Sequence, residues 1–171
     1  MLRIGVLAAI LIVNFSLRST VFQYIEILGV TPNTDLIIIV SYSILRGDVE
    51  GAILGFFAGL LMDIYFSPYI GLYALMSMLI GFFCGKPYRN FFRENYFLPL
   101  SLVAISTLIF QFIFYITNFF FRVNLDFPHY FRTVILPGSV YTVILSVPIY
   151  SFLYGVNNKL EEYDKNKRNL F

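Results

Sequence analysis

Gly51-Ala52-Ile53-Leu54-Gly55-Phe56-Phe57-Ala58-Gly59-Leu60-Leu61-Met62-Asp63 places three glycines four residues apart and ends the ladder in a carboxylate. Residues at this spacing share one face of an α-helix. Glycine costs about 1 kcal/mol relative to alanine inside a helix, so its repetition points to a face where another backbone comes close. The glycines by themselves signify packing only. Asp63 adds more: a carboxylate in an apolar segment is expensive in hydrocarbon and marks a place that faces protein or a polar cavity.

Working outward, the rest of the chain agrees that this is a membrane helix. The 171 residues are 58% hydrophobic and 13% charged, with a mean hydropathy of +0.77, against roughly 25% charged for a soluble domain. The reading is an all-α integral membrane protein. A span needs ~20 residues, which leaves room for six transmembrane helices in a single domain. The spans fall at about 4–25, 31–46, 50–66, 69–86, 97–121 and 133–156, followed by a polar cytosolic tail, 157–171. A net charge of +2 gives no argument for nucleic acid. The single cysteine, Cys84, excludes an internal disulfide and reads as a small packing residue. His129, alone in a charged loop, reads as a solvated side chain.

The span after the glycine ladder carries Gly71, Ala74, Ser77, Gly81 and Gly85 on a helical repeat. A hairpin centred on Pro68 would set Gly51 against Gly85, Gly55 against Gly81 and Gly59 against Ser77. The expected helix-packing set is therefore Gly51, Gly55, Gly59, Gly71, Ser77, Gly81 and Gly85.

Polar residues gather toward the other end of the same helices. Arg18 lies ~21 Å along its helix from Ile4, and Asp63 ~20 Å from Glu50, so the two share a depth in the outer leaflet. The segment Val30-Thr31-Pro32-Asn33-Thr34-Asp35 precedes a helix that reaches only ~17 Å from Asp35 to Arg46. Either that helix starts earlier and breaks at Pro32, or its polar start is sunk into protein, since exposed irregular backbone is not tolerated at lipid depth. Asn33, Thr34 or Asp35 can cap it. The expected outer-leaflet polar cluster is Arg18, Asn33, Asp35 and Asp63. Asp63 has two readings: paired with Arg18 or set in a pocket around Asn33 and Asp35, or snorkelling to a surface thinned around short helices.

Farther along, Lys86 to Phe97 alternates basic and aromatic residues, as a cytoplasmic loop with interfacial anchors does. Gln111, near the centre of the fifth span, is expected to hydrogen-bond across helices. Pro137, Gly138 and Pro148 predict kinks in the sixth. With six spans and the N-terminus inside, one side receives Arg3, Arg46, Lys86, Arg89, Arg93, Lys159, Lys165, Lys167 and Arg168, and the other only Arg122 and Arg132. That bias puts both termini in the cytoplasm. There is no H-E-x-x-H, G-x-S-x-G, Walker loop or Cys/His cluster. No catalytic, cofactor-binding or metal-binding residues are assigned, and the chain is not read as an enzyme.

In their order, Arg18-Ser19-Thr20-Val21-Phe22, Pro32-Asn33, the Gly51-to-Asp63 ladder and Gly71-Leu72-Tyr73-Ala74-Leu75 resemble the MreD family of bacterial rod shape-determining membrane proteins. Arg18 departs from the neutral polar residue expected at its place. The resemblance implies a non-enzymatic scaffold of the elongation complex (the elongasome) in the bacterial cytoplasmic membrane, acting in cell shape and lateral peptidoglycan synthesis. It implies MreC as partner, with one membrane span and an extracytoplasmic coiled coil, besides membrane lipid. Through MreC it implies links to MreB, RodA and a class B penicillin-binding protein. Members of the family are also similar in fold to the substrate-binding subunits of energy-coupling-factor transporters, so the alternative function is a vitamin-type small-molecule capture subunit. Such a subunit predicts an Ala-xxx-Ala docking face on the first helix, where this chain has adjacent Ala8 and Ala9.

Overall fold

Leu36-Ile37-Ile38-Ile39-Val40 and Ile44-Leu45 are apolar on every face of a helix, the pattern of a segment surrounded by protein. In the computed structural model, which describes residues 2–20, 30–66, 71–89, 97–121 and 126–168, this segment is the centre of the fold. It forms α2 (Thr34–Arg46), in which all residues but Tyr42 and Arg46 are buried. Around it stand α1 (Leu2–Thr20), α3 (Asp48–Phe66), α4 (Leu72–Gly85), α5 (Phe97–Phe121) and α7 (Leu136–Arg168), each in contact with α2. A 3₁₀ turn, Lys86–Arg89, follows α4. A one-turn helix, α6 (Phe127–Tyr130), and a π-helical turn, Phe131–Ile135, lead into α7. No strand occurs among the described residues. Residues 4–20 of the first expected span and 97–121 of the fifth are thus helical, while residues 21–25 of the first expected span, the turn at Pro68, residues 90–96 of the basic loop and residues 122–125 lie outside the described residues.

Two helical stretches are long and apolar enough to cross a membrane by length and composition, Phe97–Thr117 and Phe127–Leu160. α2 is short for the second of the two reasons foreseen. Its lead-in is irregular and sunk into protein, with Val30 and Pro32 buried. Its backbone is tied by the Asn33 N–H to the Thr142 hydroxyl of α7 (3.1 Å) and by the Thr34 N–H to the Pro32 carbonyl (3.1 Å). No side chain caps the helix.

Two apolar clusters flank α2. On one side Leu36, Ile37, Val40 and Ile44 meet Met76, Ile80 and Cys84 of α4 and Val103 and Phe110 of α5. On the other, Ile38 and Leu45 meet Leu54 of α3 and Tyr150 and Leu153 of α7. Lipid tails are as apolar as these side chains, so close fit, rather than escape from water, favours the contacts.

The closest fit is between α3 and α4, and its register differs from the expected one by a helical turn. A Cβ on Gly59 would stand 2.5 Å from the Tyr73 carbonyl oxygen and 2.6 Å from Ala74 Cα. A Cβ on Gly55 would be 2.7 Å from Ser77 C, and one on Gly51 would be 2.9 Å from the Gly81 oxygen. Gly85 faces Gly47 and Asp48. Gly51 therefore opposes Gly81, not Gly85, and Gly55 opposes Ser77, not Gly81. The reason is that α3 runs on past the start of α4, so that Asp63 can reach back over it, as described below. Gly71 does not belong to the packing face: a Cβ there would meet nothing within 4 Å, and its φ of 101° marks a turn residue. Gly47, at φ 108°, plays the same part between α2 and α3.

The π turn ends two residues before Pro137, which has no N–H and would collide with the carbonyl four residues back, within that turn, in a regular helix. Widening the turn is one known accommodation. Beyond it α7 continues through Pro148 to Arg168, 33 residues in all, about 50 Å. Residues 157–168 of the expected tail thus continue that helix.

Candidate functional site

Asp63 and Arg18, expected at a common depth, have different partners in the structure. Asp63, 1% exposed, turns its carboxylate onto the N-terminus of α4. Oδ2 accepts the N–H groups of Gly71 (3.0 Å) and Ala74 (2.9 Å), and Oδ1 that of Tyr73 (3.0 Å). The first N–H groups of any helix lack partners within it and carry partial positive charge. A carboxylate there satisfies both conditions, so Asp63 neither pairs with Arg18 nor snorkels to the surface.

Arg18 instead bonds Asp35. Its guanidinium pairs with Asp35 Oδ2, and Nη1 also lies 3.4 Å from Asn33 Oδ1. Asn14, one turn earlier on α1 and 7% exposed, donates from Nδ2 to Asp35 Oδ1 at 2.5 Å. The Arg18 side chain is 14% exposed and that of Asp35 9%. Tyr73 stands beside this pair, close enough for its hydroxyl to feel both Arg18 and Asp35, and its ring packs on Phe110 and Phe114 of α5. On the far side, Thr142 accepts from the Asn33 N–H and donates to the Gly138 carbonyl at 2.6 Å.

Of the four polar residues expected together, Arg18, Asn33 and Asp35 meet in one cluster and Asp63 stands apart. Tyr73 lies between the two groups, its N–H on Asp63 and its side chain beside Arg18. Asn14, Tyr73 and Thr142 complete the cluster and were not expected. Asn14 was legible in principle, because it sits four residues before Arg18 and so shares its helix face. No sequence signal distinguishes Tyr73 or Thr142.

Gln111 does not find its expected bond through oxygen. Its amide presses on Gly138, where a Cβ would come within 3.0 Å of Nε2, and Oε1 is buried with no partner among the described residues. An apolar groove of about 300 Å³ runs along the outer flank of the α3–α4 hairpin, walled by Phe56, Leu60, Ala74, Leu75 and Met78, with Asp63 and Gly71 at one end. The polar residues therefore pack on one another rather than line this groove, apart from Asp63. Among the described residues, no group of three His, Cys, Asp or Glu side chains is placed to hold a metal ion. The buried carboxylates of Asp35 and Asp63 are engaged in structural bonds. What the arrangement does chemically is fix helix termini and join α1, α2, α4 and α7.

The family model of the rod shape-determining protein MreD matches residues 1–159 of the chain. That range includes the α3–α4 hairpin, the polar cluster and most of α7. No curated protein and no solved structure matches it.

Proposed function

Because the chain belongs to the MreD family of rod shape-determining proteins, we propose that it is a non-catalytic, multi-pass scaffold of the bacterial elongation complex. It is one domain over residues 1–171, crosses the cytoplasmic membrane six times with both termini inside, and shares the shape of energy-coupling-factor binding subunits. It binds MreC directly and, through MreC, works with MreB, RodA and a class B penicillin-binding protein in lateral peptidoglycan synthesis. The single observation that carries this reading is the family match along 1–159. The site is consistent with it, since its buried charges satisfy a helix terminus and an ion pair and so suit a rigid framework.

In this reading the helix-packing residues Gly51, Gly55, Gly59, Ser77, Gly81 and Gly85 keep the hairpin closed. Arg18, Asn33 and Asp35 hold the outer ends of α1 and α2 together. The short α2 and α3 cross because neighbouring helices carry their polar ends within the protein. Co-purification of the full chain from its own bacterium tests the proposal. A single-span, coiled-coil partner is the expected result; a retained vitamin or an ATPase partner would replace the scaffold with a capture subunit.

A further inference from the structure

α1 is attached to the rest of the protein in a way no other long helix is. Of its described side chains only Asn14 is buried. Leu7, Ile10 and Leu11 rest half-buried against the cluster of Ile38, Leu45, Leu54, Tyr150 and Leu153, while Ile12 and Val13 are more than half exposed. In a bilayer such apolar contacts are exchanged for lipid contacts at little cost. The Arg18–Asp35 pair is different, because an ion left without its counterion in a low dielectric is strongly penalised. The position of α1 therefore depends on its polar end.

We propose that α1 is a latched helix: the Arg18–Asp35 ion pair, with Asn14 beside it, holds α1 on α2, and breaking the pair lets α1 swing from the bundle and opens Asn33, Asp35 and Tyr73 to the membrane. Each charge has somewhere to go when the latch opens. Arg18 lies about 21 Å along α1 from Ile4 by helical rise, toward the outer side, so its long side chain can extend to lipid headgroups. Asp35 lies in the first turn of α2, where the helix dipole favours negative charge. The two sides of the latch are unequally anchored. Asn33 stays fixed by its N–H to Thr142, and Thr142 by its bond to Gly138, so the α2 side keeps its shape while α1 moves. This device is independent of which partner the protein binds, and it makes access to the outer polar cluster conditional.

The test measures α1 docking by cross-linking in native membranes. Phe15 and Tyr65 have ring centroids 4.9 Å apart, so Phe15→Cys with Tyr65→Cys in a Cys84→Ser background reports the contact of α1 with α3. Native Cys84 with Ser106→Cys, whose side-chain atoms lie 3.3 Å apart in the unaltered chain, reports the α4–α5 contact as control. Asp35→Asn is expected to lower the α1–α3 yield by roughly threefold to tenfold and to leave the control unchanged. The double variant Arg18→Gln/Asp35→Asn removes both ions of the pair together, so neither is left facing an empty place, and it is expected to show the same selective loss. An unchanged α1–α3 yield in the double variant overturns the latch, and so does loss of the control link in it, which would make the pair a support of the whole fold.

Discussion

Replacing Asp63 with alanine takes the acceptor from three backbone N–H groups at once, those of Gly71, Tyr73 and Ala74. Hydrogen bonds to a charged acceptor contribute about 1.5–3 kcal/mol each, which sets a ceiling of about 5–9 kcal/mol. Relaxation of the turn at Gly71 lowers this, and we expect a loss of about 3–5 kcal/mol. Asp63→Asn is graded. Its one oxygen can keep the two donors that Oδ2 holds, while its amide nitrogen meets the Tyr73 N–H, donor against donor. One bond and the charge are lost, about 1.5–3 kcal/mol. Asp48→Ala is the control. Its carboxylate accepts the neighbouring Val49 N–H at 2.9 Å on an exposed helix end, and losing that bond costs about 0.5–1 kcal/mol. Unfolding of the purified protein in mixed micelles titrated with a denaturing detergent gives the midpoints. The order alanine below asparagine below Asp48→Ala below wild type is expected. If Asp63→Ala falls within about 0.5 kcal/mol of Asp48→Ala, the carboxylate does not hold the start of α4 and the reasoning fails.

The remaining predictions use the same assay or a simple relative of it. Gly55→Ala forces a Cβ into the Ser77 backbone and should cost about 1–3 kcal/mol, whereas Gly5→Ala, in α1 with nothing within 4 Å, should be neutral or stabilising by up to about 1 kcal/mol; a loss at Gly55 no greater than that at Gly5 would mean that α3 and α4 are not packed in this register. Gln111→Leu removes an amide whose buried Oε1 has no partner among the described residues, so it should be neutral or stabilising by up to about 1 kcal/mol. A marked loss in the unfolding midpoint would show that the amide makes a bond this geometry lacks. A reporter fused after Phe171 should be active only on the cytoplasmic side; activity outside would reverse the proposed topology.

Much of the helical layout can be read from local rules. Glycine spacing named the close face of α3, and the small residues of α4 named its counterpart, although the alignment between them shifted by a turn. That shift comes from the overhang of α3, which depends on what Asp63 does at its end and is not written in either small-residue pattern. The central element is less legible. Glycine and aspartate make the Gly51–Asp63 stretch conspicuous in an apolar segment, whereas α2 is simply apolar all round. Its flanking residues Asp35 and Arg46 suggest only a short helix, and burial by five neighbours is a property of the assembled bundle.

The polar cluster separates the two kinds of information most clearly. Sequence alone determined an all-helical chain of the MreD family, and helical rise gave Arg18, Asp35 and Asp63 an expected depth. Depth is a single coordinate, and partners also require an angular position around the bundle axis. That position follows from the packing of α1, α3, α4 and α7 around α2, through contacts between residues far apart in the chain. Tertiary structure therefore decided that Arg18 meets Asp35, that Asp63 closes the start of α4, and that Tyr73 lies between them. The physical reason is that a buried charge is satisfied by whichever group the surrounding helices bring to it, and one-dimensional spacing carries no record of that choice.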